Sequence, residues 1–239
     1  MIERLKTAIK NAQNICVFTG AGISVPSGIP DFRSADGLYN QKTGSNIRPE
    51  EMISHSFFVN HTDMFYEFYK SKMIYLDAKP NIAHNFIFEL QEQGKNVSVV
   101  TQNIDGLHTV AGVKNVYEIH GSVHRNNCMK CGKFYDADYV MKATGVPKCS
   151  CGGTIKPDVV LYEEPLNDAV VNGAIRTIRN ADLLIIIGTS LVVYPAASFV
   201  RYFCGAHLAI INLEPTGMDS IADIKIYDDV VNVIKQLND

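Results

Sequence analysis

The chain alternates short, continuous apolar runs with stretches whose apolar residues recur at helical spacing. Runs at 15–19, 97–101, 116–119, 183–188 and 208–213 are rich in Val and Ile, which predicts strands buried on both faces. Residues 82–93 and 169–180 read as helices between them. Residues 1–13 place Ile2, Leu5, Ile9 and Ala12 at helical spacing with charges in between, the pattern of an amphipathic surface helix. Buried strands alternating with helices predict an α/β fold, a parallel sheet covered on both sides. Two insertions break the alternation. Residues 38–76 read as helices crowded with aromatics (Phe57, Phe58, Phe65, Tyr66, Phe68, Tyr69), and residues 123–156 carry paired cysteines. The expected organisation is a large domain from 1–37, 77–122 and 157–239, with a small domain made of the 38–76 helical module and the 123–156 ribbon.

Length and charge narrow this picture. A chain of 239 residues suits one large α/β domain with a small appendage. A formal charge of −3 gives no overall drive toward nucleic acid or anionic membrane. The N-terminal stretch lacks the apolar core of a signal sequence, and the run at 183–187 is far below the roughly 20 residues of a membrane span. A soluble, cytoplasmic protein is expected.

Four of the six cysteines form two pairs, Cys128-x2-Cys131 and Cys149-x-Cys151, each followed by glycine (Gly132, Gly152). Such turns present two thiolates each to one tetrahedral ion, so one structural zinc is expected. Four thiolates close the coordination sphere and leave no position for a catalytic water. Two disulfides would fit poorly with a chain lacking an export signal. Cys16 and Cys204 are expected as small buried hydrophobes.

The candidate chemistry lies where loops leave the presumed strands. Residues 20–33 place Gly20 and Gly22 directly after a strand, where the backbone can approach a pyrophosphate. Pro26, Gly28 and Pro30 then interrupt any helix, and Asp31, Phe32 and Arg33 bring an acid, a ring and a fixed positive charge together. Later loops carry Thr101-Gln-Asn-Ile-Asp-Gly-Leu-His108, Glu118-Ile-His-Gly-Ser122, Gly188-Thr-Ser190 and Asn212-Leu-Glu214. On residue type alone, the last two are loop-capping groups as readily as ligand contacts.

Taken together and in order, these motifs resemble the Sir2 or sirtuin family of NAD-dependent protein lysine deacylases, in its bacterial, core-only form. The resemblance runs from about residue 15 to the last strand. It implies a Rossmann-like large domain, a small domain with a zinc ribbon, and a cleft between them. It also implies release of nicotinamide from NAD and transfer of the acyl group of acyl-lysine to ADP-ribose. His120 would be the general base, a role that suits an imidazole titrating near neutrality. Gly20, Ala21, Gly22, Val25, Asp31, Phe32, Arg33, Gln102, Asn103, Ile104, Asp105 and His120 would contact NAD. Asp105 and Ile104 would hold the nicotinamide carboxamide, and Phe32 would shield the sugar. Gly188, Thr189, Ser190, Asn212, Asp229 and Val230 would take the adenosine end. Val160, Leu161, Tyr162, Val192 and Val193 would flank an extended peptide. His108 is expected to support its loop, and His124 to be solvated or structural.

Two departures from the family pattern carry expectations of their own. Val25 replaces a small hydroxyl residue, which would loosen one phosphate contact. Tyr162-Glu163-Glu164 stands where an aromatic followed by Gly-Glu is common, so an extra carboxylate near the peptide should favour basic flanking residues. The positions that bind acidic acyl groups in some sirtuins map to Tyr66 and Tyr69, with no arginine, so acetyl is expected over succinyl. Three other readings compete: mono-ADP-ribosyl transfer from NAD to protein, a non-catalytic NAD sensor, and a nucleic-acid-binding ribbon. The ribbon is basic, yet it lacks an interleaved aromatic series, so nucleic acid is not expected as a partner.

Overall fold

The computed structural model of the chain describes residues 1–32, 34, 37–38 and 47–239. Among them the strands are β1 (Asn14–Thr19), β2 (Asn96–Thr101), β3 (Asn115–Glu118), β4 (Asn126–Cys128), β5 (Phe134–Tyr135), β6 (Ile155–Pro157), β7 (Leu183–Ile187), β8 (His207–Asn212) and β9 (Ile224–Tyr227). The α-helices are α1 (Ile2–Asn11), α2 (Pro49–Met52), α3 (His55–Asn60), α4 (Thr62–Lys72), α5 (Ile82–Glu92), α6 (Leu107–Val110), α7 (Ala137–Lys142), α8 (Asp168–Asn180) and α9 (Val230–Asn238).

Six strands make one parallel sheet in the order β3-β2-β1-β7-β8-β9. Counted within this sheet alone the order is 3-2-1-4-5-6, the doubly wound Rossmann arrangement. Successive residues of the central strands enter opposite cores. Ile15, Val17, Leu183, Ile185, Ile187, Ala209 and Ile211 share one cluster with Leu5, Ile87, Val233 and Ile234 of α1, α5 and α9. Cys16, Phe18, Leu184, Ile186, Leu208 and Ile210 share the other with Ala174 and Ile178 of α8 and Phe199 and Val200 of the 3-10 segment Ala196–Tyr202. Burial on both faces is why these runs carry no polar alternation. The edge strand β9 and the closing helix α9 were not among the expected elements.

The second sheet is small, in the order β5-β4-β6, and antiparallel. It carries the cysteines and packs on α2, α3 and α4. Phe58, Phe65, Tyr66 and Tyr69 are buried in one cluster with Tyr135, Val140 and Ile155. Phe65 meets Phe58 edge-on with ring centroids 5.0 Å apart, and the Tyr66 hydroxyl donates to the Ile155 carbonyl. Each fully buried ring contributes about 1.5–3 kcal/mol. The two insertions therefore share a third core, separate from the two that hold the large sheet.

Candidate active site between the sheet and the small module

The carboxyl ends of β1 and β7 are neighbours at the point where the strand order reverses, and the loops leaving them open a crevice. These loops interlock. The Gly20 N–H donates to the Ile187 carbonyl (3.1 Å) and the Gly22 N–H to that of Gly188 (2.9 Å). A Cβ on Gly22 would lie 2.7 Å from the Gly188 Cα, and one on Gly188, whose φ is +62°, would lie 2.4 Å from the Ile23 nitrogen. Glycines expected to admit a pyrophosphate are thus needed first for loop-to-loop contact, and they line the crevice as well.

The crevice is a cavity of about 690 Å³. It gathers Gly20, Ala21, Gly22, Val25, Asp31 and Phe32 from the first loop, Gln102, Asn103, Ile104 and Asp105 from the second, and His120 from the third. Gly188, Thr189, Ser190, Asn212, Asp229 and Val230 line it farther along, with Val160, Leu161, Tyr162, Val192 and Val193 at its sides. Arg33 lies outside the described residues. Val25 stands at the rim, 47% exposed, in the 3-10 turn Val25–Ser27. Asp229 also caps α9, accepting from the Val231 N–H at 2.8 Å.

A buried polar network holds the second loop. Ser24, fully buried, donates to Asp105 Oδ2 (2.7 Å) and accepts from Asn103 Nδ2 (3.0 Å). The Leu107 N–H donates to Asp105 Oδ1 (2.9 Å). Below it, the Thr19 hydroxyl donates to Thr101 Oγ1 (2.8 Å) and lies 3.0 Å from His108 Nε2. The single Thr19 hydrogen is taken by Thr101, so His108 Nε2 is the donor in that pair. The His108 ring sits 4.8 Å from that of His84, centroid to centroid. Burial lowers the pKa of both rings: His84 to about 4, against an opposing pull from Asp105, and His108 well below its ordinary value. Two neutral imidazoles therefore support the loop near pH 7. His124 is structural too, its Nε2 lying 2.9 Å from the Asp105 carbonyl.

His120 follows β3, its Nδ1 3.0 Å from the Gln102 carbonyl. A carbonyl only accepts, so Nδ1 carries the hydrogen and Nε2 keeps a lone pair. Burial lowers the pKa of the ring, with the Gln102 bond opposing, which favours the neutral, proton-accepting form. The Gln102 side chain donates to Thr189 Oγ1 (2.9 Å) and so ties the His120 side of the crevice to the Gly188 side.

The side wall at 160–164 is fastened to the helical module. The N–H groups of Val160, Leu161 and Tyr162 go to the His120 carbonyl, Glu164 Oε2 and the Ile53 carbonyl. The Leu161 and Tyr162 carbonyls accept in turn from the Glu164 (3.1 Å) and His55 (2.9 Å) N–H groups, so this wall meets a peptide mainly with its side chains. Glu163 has a φ of +75°, which explains why glycine suits this position. Its carboxylate accepts from the Ser56 N–H (2.9 Å) and Oγ (3.0 Å) at the start of α3, so the extra charge is held toward the helical module. Glu164 meets His55 Nδ1 (2.8 Å) and Lys156 Nζ (3.0 Å). Leu38, Ile53, Met73, Val123, Val159 and Leu161 extend the cavity into the apolar core. Tyr66 and Tyr69 stay within that core, and Lys72 at the end of α4 and Met73 just beyond it join the wall instead.

The thiol sulfurs of Cys128, Cys131, Cys149 and Cys151 all lie within 4.8 Å of one another. Three of the pairs are separated by 3.5, 3.6 and 3.5 Å. A tetrahedron on Zn–S bonds of about 2.3 Å has edges of about 3.8 Å, so the donor set fits zinc. The Cys151 N–H and then the Tyr135 hydroxyl, which donates at 3.1 Å, hold the Cys149 thiol down to about 5, ready as a thiolate. Cys16 is buried as expected; Cys204 is exposed, because the chain there has left the 3-10 segment for a surface turn before β8.

Ser24 was not among the expected site residues. A hydroxyl between Gly22 and Pro26 in an otherwise apolar loop is the one local sign of it. Tyr135 and the cross-links of Glu164 leave no sign in the sequence, since their partners lie 8 to 109 residues away.

Residues 20–195 match the family model described as the Sir2 family. The chain is 54% identical over 240 residues to an NAD-dependent protein deacetylase of Clostridium perfringens, covering 100% of this chain and 98% of the relative. It is 53% identical over 236 residues to one of Clostridium acetobutylicum, covering 98% and 96%. A solved Sir2 histidine-to-alanine variant with deacetylated p53 peptide and 3′-O-acetyl ADP ribose superposes with a TM-score of 0.89 at 37% identity, covering 99% of this chain and 96% of that one.

Proposed function

The chain belongs to the Sir2 family, and on that basis we propose that it is an NAD-dependent protein lysine deacetylase, moving the acyl group of acyl-lysine to ADP-ribose with release of nicotinamide. The observation that carries this reading is His120. Its ring is half-buried, oriented through Nδ1 and left with a basic Nε2, inside the cavity that also holds the glycine loops and Asp105. NAD, when bound, supplies an electrophilic ribose carbon and a departing nicotinamide. His120 Nε2 takes the proton of a ribose hydroxyl, and the Gln102 carbonyl steadies the ring as it becomes charged. Asp105 and Ile104 hold the carboxamide, with the Asp105 carboxylate aimed by Ser24 and the Leu107 N–H. Phe32, packed at the edge of the apolar cluster, excludes water from the sugar. Val160, Leu161, Tyr162, Val192 and Val193 flank the peptide, and the four cysteines hold a structural zinc.

Incubation with NAD and an acetyl-lysine peptide should yield free lysine, nicotinamide and O-acetyl-ADP-ribose in equal amounts by mass spectrometry. Nicotinamide accompanied by ADP-ribosylated protein and no acetyl transfer would overturn the reading.

Two selectivities follow from the walls. The acyl end is apolar, and the cation that lines the cavity among the described residues, Lys72, is a point charge rather than an arginine fork. Acetyl-peptide turnover should exceed succinyl-peptide turnover by at least about tenfold, since a carboxylate there lacks a bidentate partner. Equal rates for the two would refute it. Glu163, exposed but held by Ser56, should give a small preference for peptides with basic flanks, and charge-swapped peptides would measure it.

A further inference from the structure

Arg125 sits at the neck of the cysteine-bearing sheet. The last pair of that sheet's β4–β6 ladder is Asn126 with Pro157, and the next residues outward are Arg125 and Asp158. They are joined twice: the Asp158 N–H donates to the Arg125 carbonyl (2.8 Å), and Arg125 Nε donates to Asp158 Oδ2 (2.7 Å). The other arm of the guanidinium, NH1, donates to Glu118 Oε2 at 2.5 Å. Glu118 ends β3, two residues before His120, and Asp158 lies two residues before Val160.

These two segments also touch directly. The Gly121 N–H closes a turn on the Glu118 carbonyl (3.0 Å), and the Val160 N–H donates to the His120 carbonyl (2.9 Å). Gly121 packs so closely on Asp158 that a Cβ would lie 2.1 Å from its carbonyl oxygen. The turn bearing His120 and the wall flanking the peptide thus meet along a seam, and the guanidinium fork bridges its outer edge. A fork can hold two carboxylates at fixed separation, whereas an ammonium is a point charge. Arg125 and Asp158 are 45% and 41% exposed and Glu118 12%, so such pairs add little to global stability. Their consequence is geometric.

We propose that Arg125 is a positioning residue for deacylation: by spanning Glu118 and Asp158 it locks the His120 turn to the wall on which the acyl-lysine peptide lies. This rests on the deacetylase reading above. The Arg125 fork bonds to none of the loops proposed to contact NAD at 20–32, 102–105 and 188–190; the 102–105 loop meets the His120 turn through the Gln102 and Ile104 carbonyls instead, which separates the expected effects.

The test is steady-state kinetics of Arg125→Ala and Arg125→Lys with an acetyl-lysine peptide, beside NAD affinity measured without peptide and thermal melting. Arg125→Ala should lower kcat/KM for peptide by about 10- to 100-fold, through both kcat and KM, as expected when reacting groups are misplaced by about an ångström. NAD affinity should be unchanged and the melting temperature little altered. Arg125→Lys should restore part of the loss. Adding Glu118→Gln and Asp158→Asn to Arg125→Ala should cost nothing further, because one unit is already broken. Wild-type kinetics in Arg125→Ala would overturn the proposal. So would an equal fall in NAD affinity, since that marks general structural damage. Wild-type protein that forms no O-acetyl-ADP-ribose would overturn the deacetylase reading and the proposal with it.

Discussion

Replacing His120 by alanine is expected to lower O-acetyl-ADP-ribose formation by about 10²–10⁴-fold, the range for loss of a positioned general base. NAD binding should survive, because the loops proposed to hold the cofactor are fixed by other contacts. The Ser24–Asp105 and Gly22–Gly188 bonds do not involve this ring. The Gln102 side chain stays anchored on Thr189. The wild-type pH profile should carry the signature of the same residue. Burial places the folded pKa of His120 below its ordinary value of 6.5. Activity should therefore be full above that folded value and fall as pH drops through it, so the acid limb lies on the acid side of 6.5. In His120→Ala that limb should disappear. Equal rates for wild type and variant, or an unchanged acid limb, would remove His120 from the role.

The central strands of the large sheet were legible because both their faces are buried. Runs such as Leu183 to Ile187 need no alternation, and glycine-bearing loops follow them. Strand β9 escaped because it is not a continuous apolar run: Lys225 and the exposed Tyr227 alternate with buried Ile224 and Ile226, and four residues carry little periodicity. The candidate site residues were legible where a motif is contiguous, as at 101–105 and 118–122. Reading the role of Gly20 and Gly22 from sequence was incomplete, since their nearest constraints are Thr189 and Gly188, more than 160 residues away. Tyr66 and Tyr69 show the opposite failure. Their place in the aromatic helical insertion was clear, yet which residues meet the cavity depends on how α4 packs against β6, and Lys72 and Met73 line it instead. The Arg125 fork left no trace, because its partners stand 7 and 33 residues away and any surface carboxylate would look alike.

Removal of zinc is expected to abolish deacylation while leaving the large sheet folded. The cysteine-bearing sheet has short strands, of three, two and three residues, too few to stand without a staple. Structural zinc bound to such thiolates is worth about 10–16 kcal/mol near neutral pH, more than the small sheet can replace. Its loss would spread in one direction only. Tyr135, Val140 and Ile155 share a core with Phe58, Phe65 and Tyr66 of the helical module, and with Val159 and Leu161 of the peptide wall. The large sheet keeps its two cores, neither of which contains a residue of the cysteine-bearing segment. Chelation, or Cys149→Ala, should therefore erase the near-ultraviolet dichroism of the tyrosine cluster and the turnover of acetyl-peptide. Most far-ultraviolet signal should remain. Metal analysis of the untreated protein should give one zinc per chain, and adding zinc back to chelated protein should restore both signals. Full turnover in protein stripped of zinc would show that the four cysteines hold nothing the cleft depends on. Loss of the whole far-ultraviolet signal would show that the cores are not independent.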